Sequence, residues 1–128
     1  MEKEFGEYLK KLRSNHQPAM TQEELATAIG RGKMTISQFE NAKNSPPQGE
    51  LLEKIIKALN LSPEEEEHLI FLSAKSRKCI PQDIEKYFFE HPSIYTAIRR
   101  DMKSPSKFDW EQIAKSARKS YGKNTRRN

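Results

Sequence analysis

The sequence predicts an all-α protein: a five-helix domain followed by a C-terminal helical extension. Apolar residues recur at i, i+3, i+4 and i+7 in successive segments, which is the period of one helix face. Capping residues, glycines and prolines separate these segments at the places where helices begin and end. The length of 128 residues suits one small domain plus an extension.

Residues 21–30 predict a short helix with recognisable signals at both ends. Thr21 is an N-cap candidate, and Glu24 stands three residues later, the spacing of a capping box. Gly30 follows the last apolar residue, where a C-terminal cap needs a left-handed backbone. The apolar residues of this helix share one face and are Leu25, Ala26 and Ile29.

A second short helix restarts near Lys33, with Ile36 and Phe39 on its inner face. Ala26 is small where the two helices must cross closely. Two short helices joined by a glycine-containing turn are typical of a DNA-binding helix-turn-helix. The alternative is an ordinary helical hairpin with no ligand.

Residues 20–46 resemble the helix-turn-helix of the Cro/C1 (lambda-repressor-like, XRE) family of bacterial and phage regulators. The match has no gap and, with the flanking helices, extends over residues 4–62. Three residues depart from the family pattern, since Arg31 replaces an apolar residue, Gly32 a serine cap and Ala42 a glycine. The match rests on Thr21, Gln22, Glu23, Glu24, Leu25, Ala26, Gly30, Thr35, Ile36, Ser37, Glu40, Asn41, Lys43 and Pro46.

The resemblance implies a lambda-repressor-like fold and the binding of double-stranded DNA. The base-reading face of the recognition helix would then carry Lys33, Met34, Thr35, Ser37 and Gln38. Phosphate contacts would come from Gln22 at the start of the first motif helix, and from Asn41 and Lys43 beyond the recognition helix. Arg31, in the turn, is a candidate for an accessory DNA contact.

The flanking segments supply the other three helices of a domain that we place at residues 1–75. The first helix has a stripe of apolar residues, and Lys10 or Arg13 near its end either reaches a phosphate or is solvated. The fifth helix begins at Ser62 as N-cap, with Pro63 at the first helical position. The apolar stripes are Phe5, Tyr8, Leu9 and Leu12 in the first helix, Leu51, Leu52, Ile55, Ile56 and Leu59 in the fourth, which ends at Asn60, and Leu69, Ile70, Phe71 and Leu72 in the fifth.

Residues 76–103 are predicted to form a helical appendage that follows a basic hinge at residues 75–78. Pro81 opens a sixth helix, and the segment 91–93 ends it and starts a seventh. This pair is too small to bury its own aromatic side chains, which are Tyr87, Phe88, Phe89 and Tyr95. We therefore expect the appendage to pack on the first domain or on another chain, and to serve dimerisation or effector binding.

Residues 104–128 carry the whole net charge of the chain. They hold seven Lys and Arg against two Asp and Glu, whereas residues 1–103 hold sixteen of each kind. Apolar residues at helical spacing predict a last amphipathic helix, and residues 122–128 should fray. These apolar residues are Trp110, Ile113, Ala114, Ala117 and Tyr121. The basic residues Arg118, Lys119 and Lys123 either lie along DNA phosphates or only keep the protein soluble.

Composition argues against several other classes of protein. No apolar run is long enough to span a membrane, and no secretory start is present, so we expect a soluble cytoplasmic protein. Cys79 is the single cysteine, and the three histidines are scattered, so no metal site and no cofactor are expected. Because no nucleophile–base pair or phosphate-binding glycine loop is recognisable, we do not expect an enzyme.

These observations together predict a sequence-specific DNA-binding transcriptional regulator. We expect a repressor that occupies an operator as a homodimer, because operator occupancy needs no further machinery in the chain. The alternative is an antitoxin-type interaction module whose residues 80–121 bind a partner protein.

Deleting residues 118–128 tests the role of the basic tail. The deletion removes five positive charges per chain, and each phosphate neutralised contributes about 0.9 to the slope of log affinity against log salt concentration. If the tail contacts DNA, the slope measured by salt titration falls by several units per dimer, with base preference unchanged. An unchanged slope would leave solubility as the function of the tail.

Overall fold

The computed structural model describes residues 2–103, which form seven helices and no strand. The all-α prediction is confirmed for this part of the chain; the helix predicted around Trp110 lies outside it. None of the seven helices is long and apolar enough to cross a membrane. The helices are α1 (Glu4–Asn15), α2 (Gln22–Ala28), α3 (Lys33–Glu40), α4 (Gly49–Leu59), α5 (Pro63–Arg77), α6 (Gln82–Glu90) and α7 (Ser93–Lys103).

The predicted capping residues define the helix boundaries. Ser62 caps α5: its hydroxyl accepts from the backbone of Glu65, whose carboxylate accepts from the backbone of Ser62 in return. Pro63 occupies the first helical position. Asn60, the C-cap residue of the preceding helix α4, adopts a left-handed backbone with φ 50°. These local hydrogen bonds confirm the predicted start of α5 and end of α4.

One apolar cluster from the first five helices forms the core. The stripes predicted for α1 and α4 point into it, while Tyr8 and Leu51 lie half-buried at its edge. Phe71, predicted as part of the apolar face of α5, is instead 55% exposed. The buried core residues are Phe5, Leu9, Leu12, Leu25, Ala26, Ile29, Ile36, Phe39, Leu52, Ile55, Ile56, Leu59, Leu69 and Leu72.

The basic segment 75–78 is not the hinge predicted from sequence. Residues 75–77 form the last turn of α5, and Lys78 ends the helix with φ 56°. The backbone N–H of Cys79 donates to the carbonyl of Ala74, and that of Lys78 to Lys75, a Schellman-type cap. Basic side chains in the last turn also suit the negative end of the helix dipole. The positive charges therefore stabilise a helix end.

The backbones of α1 and α3 approach closely at Gly6. A Cβ atom added at Gly6 would lie 2.5 Å from the carbonyl oxygens of both Phe39 and Glu40. No side chain fits in that space without a shift of the backbone. Gly6 thus lets α1 pack directly against the C-terminal end of α3.

Contacts divide the chain into two compact units, one that ends at Glu85 and one that begins at Lys86. In the second unit, the ring of Tyr95 meets the edges of Phe88 at 5.9 Å and Phe89 at 6.4 Å between centroids. Neither α6 nor α7 holds a buried residue. Within the described part of the unit, the aromatic side chains contact each other and remain accessible.

We expect Gly6→Ala to destabilise the protein by about 1–3 kcal/mol, because the new methyl group must displace backbone atoms. Urea unfolding measures the change in the free energy of unfolding. The matched control is Gly32→Ser, which places a side chain in open space at the N-cap of α3 and should gain a few tenths of a kcal/mol. Equal stability of the Gly6→Ala variant and the native protein would contradict the close approach.

Candidate functional site

The turn between α2 and α3 has the geometry that the sequence predicts. Thr21 and Glu24 form a capping box in which both hydrogen bonds are 3.0 Å long. Hydrogen bonding to Thr21, mainly to its backbone N–H and secondly to its hydroxyl, lowers the pKa of Glu24. Gly30 follows α2 with φ 72°. The N–H of Arg31 donates to the carbonyl of Ala26 at 2.9 Å and closes a Schellman motif. The sharp turn then delivers the chain to α3.

The helix α3 presents one face to the core and the other to solvent. Ile36 and Phe39 are buried, whereas Met34 is 68% exposed and Lys33 is also exposed. The remaining residues predicted to read bases, Thr35, Ser37 and Gln38, are half-buried. At 100° per residue, Ser37 and Gln38 lie beside Met34 on the outer side, while Thr35 lies at its flank.

Two asparagines orient the polar groups of this outer face. The amide of Asn41 donates to the Ser37 hydroxyl at 3.2 Å, and accepting this bond leaves the hydroxyl hydrogen available for donation. The amide of Asn44 donates to the Gln38 Oε1 at 2.8 Å, which leaves the Gln38 NH₂ group to point elsewhere. With the Lys33 ammonium, the outer face offers three donors. No role was predicted for Asn44 from the sequence, because it lies in the loop after α3, six residues beyond its partner Gln38.

The segment after α3 carries two further predicted site residues. Asn41 and Lys43 are both exposed, and the N–H of Lys43 donates to the carbonyl of Gln38 at 2.8 Å. Between them, Ala42 has φ 55°. This left-handed conformation, which costs a non-glycine residue about 1–2 kcal/mol, explains why a glycine would fit here better.

A buried ion pair supports the motif from inside. Arg13 Nε and Nη2 donate to the two oxygens of Glu40 at 2.7 and 2.9 Å, and the side chains are only 12% and 2% exposed. The remaining Nη1 donates to the carbonyl of Met20 at 2.8 Å. The hydrogen bond to Glu40 raises the pKa of Arg13 above its ordinary value, although burial opposes this.

The sequence left two interpretations of Arg13, that it is solvated or that it reaches a phosphate, and the structure contradicts both. Its guanidinium group is committed to Glu40. A sequence signal did exist, because Glu40 follows Ile36 by four residues and so places a carboxylate on the apolar face of α3. Such a residue needs a buried partner.

Gln22 also binds Glu40. Its amide nitrogen donates to Glu40 Oε1 at 3.0 Å, and its side chain is half-buried. An amide nitrogen carries two hydrogens, so one N–H remains for a second acceptor. Gln22 is the first residue of α2, whose first turn also carries Glu23 and Glu24.

The remaining predicted site residues are Arg31 in the turn and three basic residues of the C-terminal segment. Arg31 is exposed and contacts the carbonyl of Gly30 at 3.4 Å. Arg118, Lys119 and Lys123 lie outside the described residues. Within residues 2–103, no group of three His, Cys, Asp or Glu side chains is placed to hold a metal ion.

Comparison with known proteins agrees with this geometry. Residues 4–69 match a family model described as a helix-turn-helix domain. The match covers just over half of the 128 residues and ends within α5. The searches of curated proteins and of solved structures found no match.

We expect Glu40→Gln to destabilise the protein by about 3–5 kcal/mol, because it leaves the Arg13 charge buried without a counter-ion. The matched control is Lys75→Gln, which breaks the exposed pair between Lys75 and Glu4 at 3.0 Å and should cost about 0–1 kcal/mol. Urea unfolding of both variants measures the difference. Equal effects would show that the buried pair does not stabilise the motif.

Proposed function

This chain belongs to the helix-turn-helix domain family, and we propose that it is a sequence-specific regulator of the Cro/C1 type that binds double-stranded DNA. The observation that carries the proposal is the solvent-facing side of α3, where Lys33, Ser37 and Gln38 offer hydrogen-bond donors. An α-helix fits the major groove of B-DNA, and base edges there present a distinct pattern of donors and acceptors.

The donors of α3 suit particular bases. Guanine presents two acceptors in the major groove, and thymine presents one acceptor beside its methyl group. Lys33 and the NH₂ group of Gln38 would donate to such acceptors, while the exposed Met34 would contact a thymine methyl. We infer that guanine and thymine on the contacted strand dominate the preferred sequence.

Phosphate contacts on both sides of α3 would fix its register in the groove. On one side lies Gln22, whose second amide N–H would bind a phosphate while the first stays on Glu40. On the other side lie the exposed Asn41 and Lys43. Contacts of this kind position a protein on DNA without reading its sequence. Arg31 would add a contact near the turn.

We infer that the protein acts as a homodimeric repressor. One module of this size buries too little DNA surface for strong specificity, and a two-fold dimer doubles the contacts. Half-sites about 10 base pairs apart, one helical turn, would match such a dimer. Occupying an operator is enough to block transcription.

The alternative function is that of an antitoxin-type protein-interaction module. It is favoured by the accessible aromatic residues of α6 and α7, with Phe89 69% and Tyr87 54% exposed. A tight stoichiometric complex with the product of a neighbouring gene would support it.

Selection of bound sequences from random duplex DNA tests the proposed function. The native protein should select a two-fold sequence, and Lys33→Ala or Ser37→Ala should relax the preference at one or two base pairs per half-site, each worth about 1–3 kcal/mol. Gln22→Ala should weaken binding to all sequences. The control is Lys54→Ala on α4, which removes an exposed positive charge and should leave the selected sequence unchanged.

Two outcomes would contradict this docking. Unchanged base preference in the Lys33 and Ser37 variants would show that α3 does not read bases as proposed. Failure of the native protein to enrich any sequence would argue against specific binding altogether. Circular dichroism checks that each variant is folded, which matters most for Gln22→Ala because Glu40 loses a hydrogen bond.

A further inference from the structure

The facing sides of α6 and α7 leave an apolar surface open in the second compact unit. The ring of Tyr95 lies against those of Phe88 and Phe89, with centroids 5.9 and 6.4 Å apart. Ile98 and Met102 stand three and seven residues after Tyr95, so they continue its side of α7. Phe89 is 69% and Met102 74% exposed, so both ends of this surface are in contact with water. The surface formed by Phe89, Tyr95, Ile98 and Met102 is called the α6–α7 face.

The α6–α7 face needs a cover. The two helices are nine and eleven residues long and hold no buried residue. Helices this short are marginal in water unless an apolar side packs against another element. The nearest candidate in sequence is the segment that follows α7, residues 104–128, which lies outside the described residues. Its apolar residues recur at helical spacing from Trp110 to Tyr121.

The spacing of apolar residues after α7 mirrors the spacing before Ser106. Three apolar residues of α7 and the preceding His91 each have a counterpart at the same distance in sequence beyond Ser106. Ser106 ends the segment Ser104-Pro105-Ser106, where proline interrupts helical hydrogen bonding. A chain that reverses direction there brings the counterparts opposite one another. The pairs are Met102 with Trp110, Ile98 with Ala114, Tyr95 with Ala117 and His91 with Tyr121.

We propose that residues 108–121 form a helix that packs antiparallel to α7 and covers the α6–α7 face. The connection, residues 104–107, has a length that is common between antiparallel helices. The new helix has fourteen residues and α7 has eleven, which correspond to lengths of about 21 and about 16 Å, so one spans the other. The cover comes from the chain itself, and the closure goes beyond the proposed function because it does not depend on DNA.

The side chains fit where the pairs meet. Next to the turn, the indole of Trp110 covers Met102, which is the most exposed side chain of the face. Further along, Ala114 and Ala117 lie opposite the larger side chains of α7. Small residues opposite large ones let two helices approach closely and fill the space between them.

The charges at one edge of the face suit the antiparallel sense. Arg99 and Lys103 lie about 70° and about 110° round α7 from its apolar side, and Glu111 lies about 100° round its own helix in the same rotational sense. Sides of the same sense meet when two helices are antiparallel and point apart when they are parallel. At the register set by Ser106, Glu111 falls between Arg99 and Lys103, where opposite charges attract.

The arrangement gives the two sides of the last helix different surroundings. Lys115 and Lys119 lie about 140° and about 180° round the helix from Trp110, so they face solvent when the apolar side faces α7. The aromatic side chains of α6 and α7 are then covered by the chain itself. This argues against the antitoxin-type function, which needs those side chains to be accessible to a partner protein.

The fluorescence of Trp110 tests the contact, because this residue is the single tryptophan of the chain. Met102→Lys should shift the emission maximum to longer wavelength and increase quenching by iodide, since the indole loses its apolar neighbour. The matched control is Thr96→Lys, which places the same charge on an exposed residue on the other side of α7 and should leave the emission unchanged.

A disulfide tests the register in the full chain. In a Cys79→Ser background, which removes the single native thiol, Ile98→Cys together with Ala114→Cys should form a bridge within one chain on mild oxidation. A bridge needs Cα atoms about 4–7 Å apart. The control pairs Ile98→Cys with Lys115→Cys, which turns the second thiol to the outer side and should stay reduced. Non-reducing electrophoresis and mass spectrometry separate the products.

The contrary results are distinct. Emission of the native protein at the wavelength of tryptophan in water would leave the α6–α7 face open to a partner and overturn the proposal. A bridge between two chains would assign the cover to residues 108–121 of a second copy and overturn the packing within one chain. No bridge from the Ala114 pair, or equal bridging from the Lys115 pair, would overturn the register. None of these measurements uses DNA, so their failure is distinct from failure of the proposed function.

Discussion

The carboxylate of Glu40 joins the three helices on which the candidate site is built. It lies at the end of α3 and accepts hydrogen bonds from Arg13 of α1 and Gln22 of α2. Because the carboxylate is buried, each missing partner would leave a charge or polar group unsatisfied. The bonds thus fix the angle between α2 and α3 from inside. Gly6 makes the arrangement possible, since only a residue without a side chain lets α1 approach the end of α3.

This internal support allows the outer face of α3 to be both exposed and ordered. Ile36 and Phe39 anchor the helix in the core, while Asn41 and Asn44 hold the outer polar groups through local hydrogen bonds. Groups that are oriented before binding lose less entropy on contact with a partner. The excess charge of the chain lies in residues 104–128, so DNA binding by the described body would depend on these placed donors and not on net charge.

Exposed aromatic residues occur in both compact units, and their surroundings differ. Phe71 lies between residues of opposite charge on α5, whose other side is buried. Tyr87 and Phe89 belong to helices without any buried residue. Contiguous apolar patches are typical of binding surfaces, whereas single exposed apolar side chains are common on any protein. The exposed Phe89 of α6 thus belongs to a group of rings near Tyr95, whereas Phe71 is exposed on α5 beside His68.

The sequence by itself determined the elements whose hydrogen bonds are local. The capping boxes at Thr21 and Ser62 and the left-handed turn at Gly30 each involve residues at most five apart, so their spacing identifies them. Only the tertiary structure decided which polar groups meet. Arg13 and Glu40 are 27 residues apart, and Gln22 and Glu40 are 18 apart. No periodicity of the sequence connects such positions, because their contact depends on how the helices pack. The packing of α5 also decided that Phe71 would face solvent.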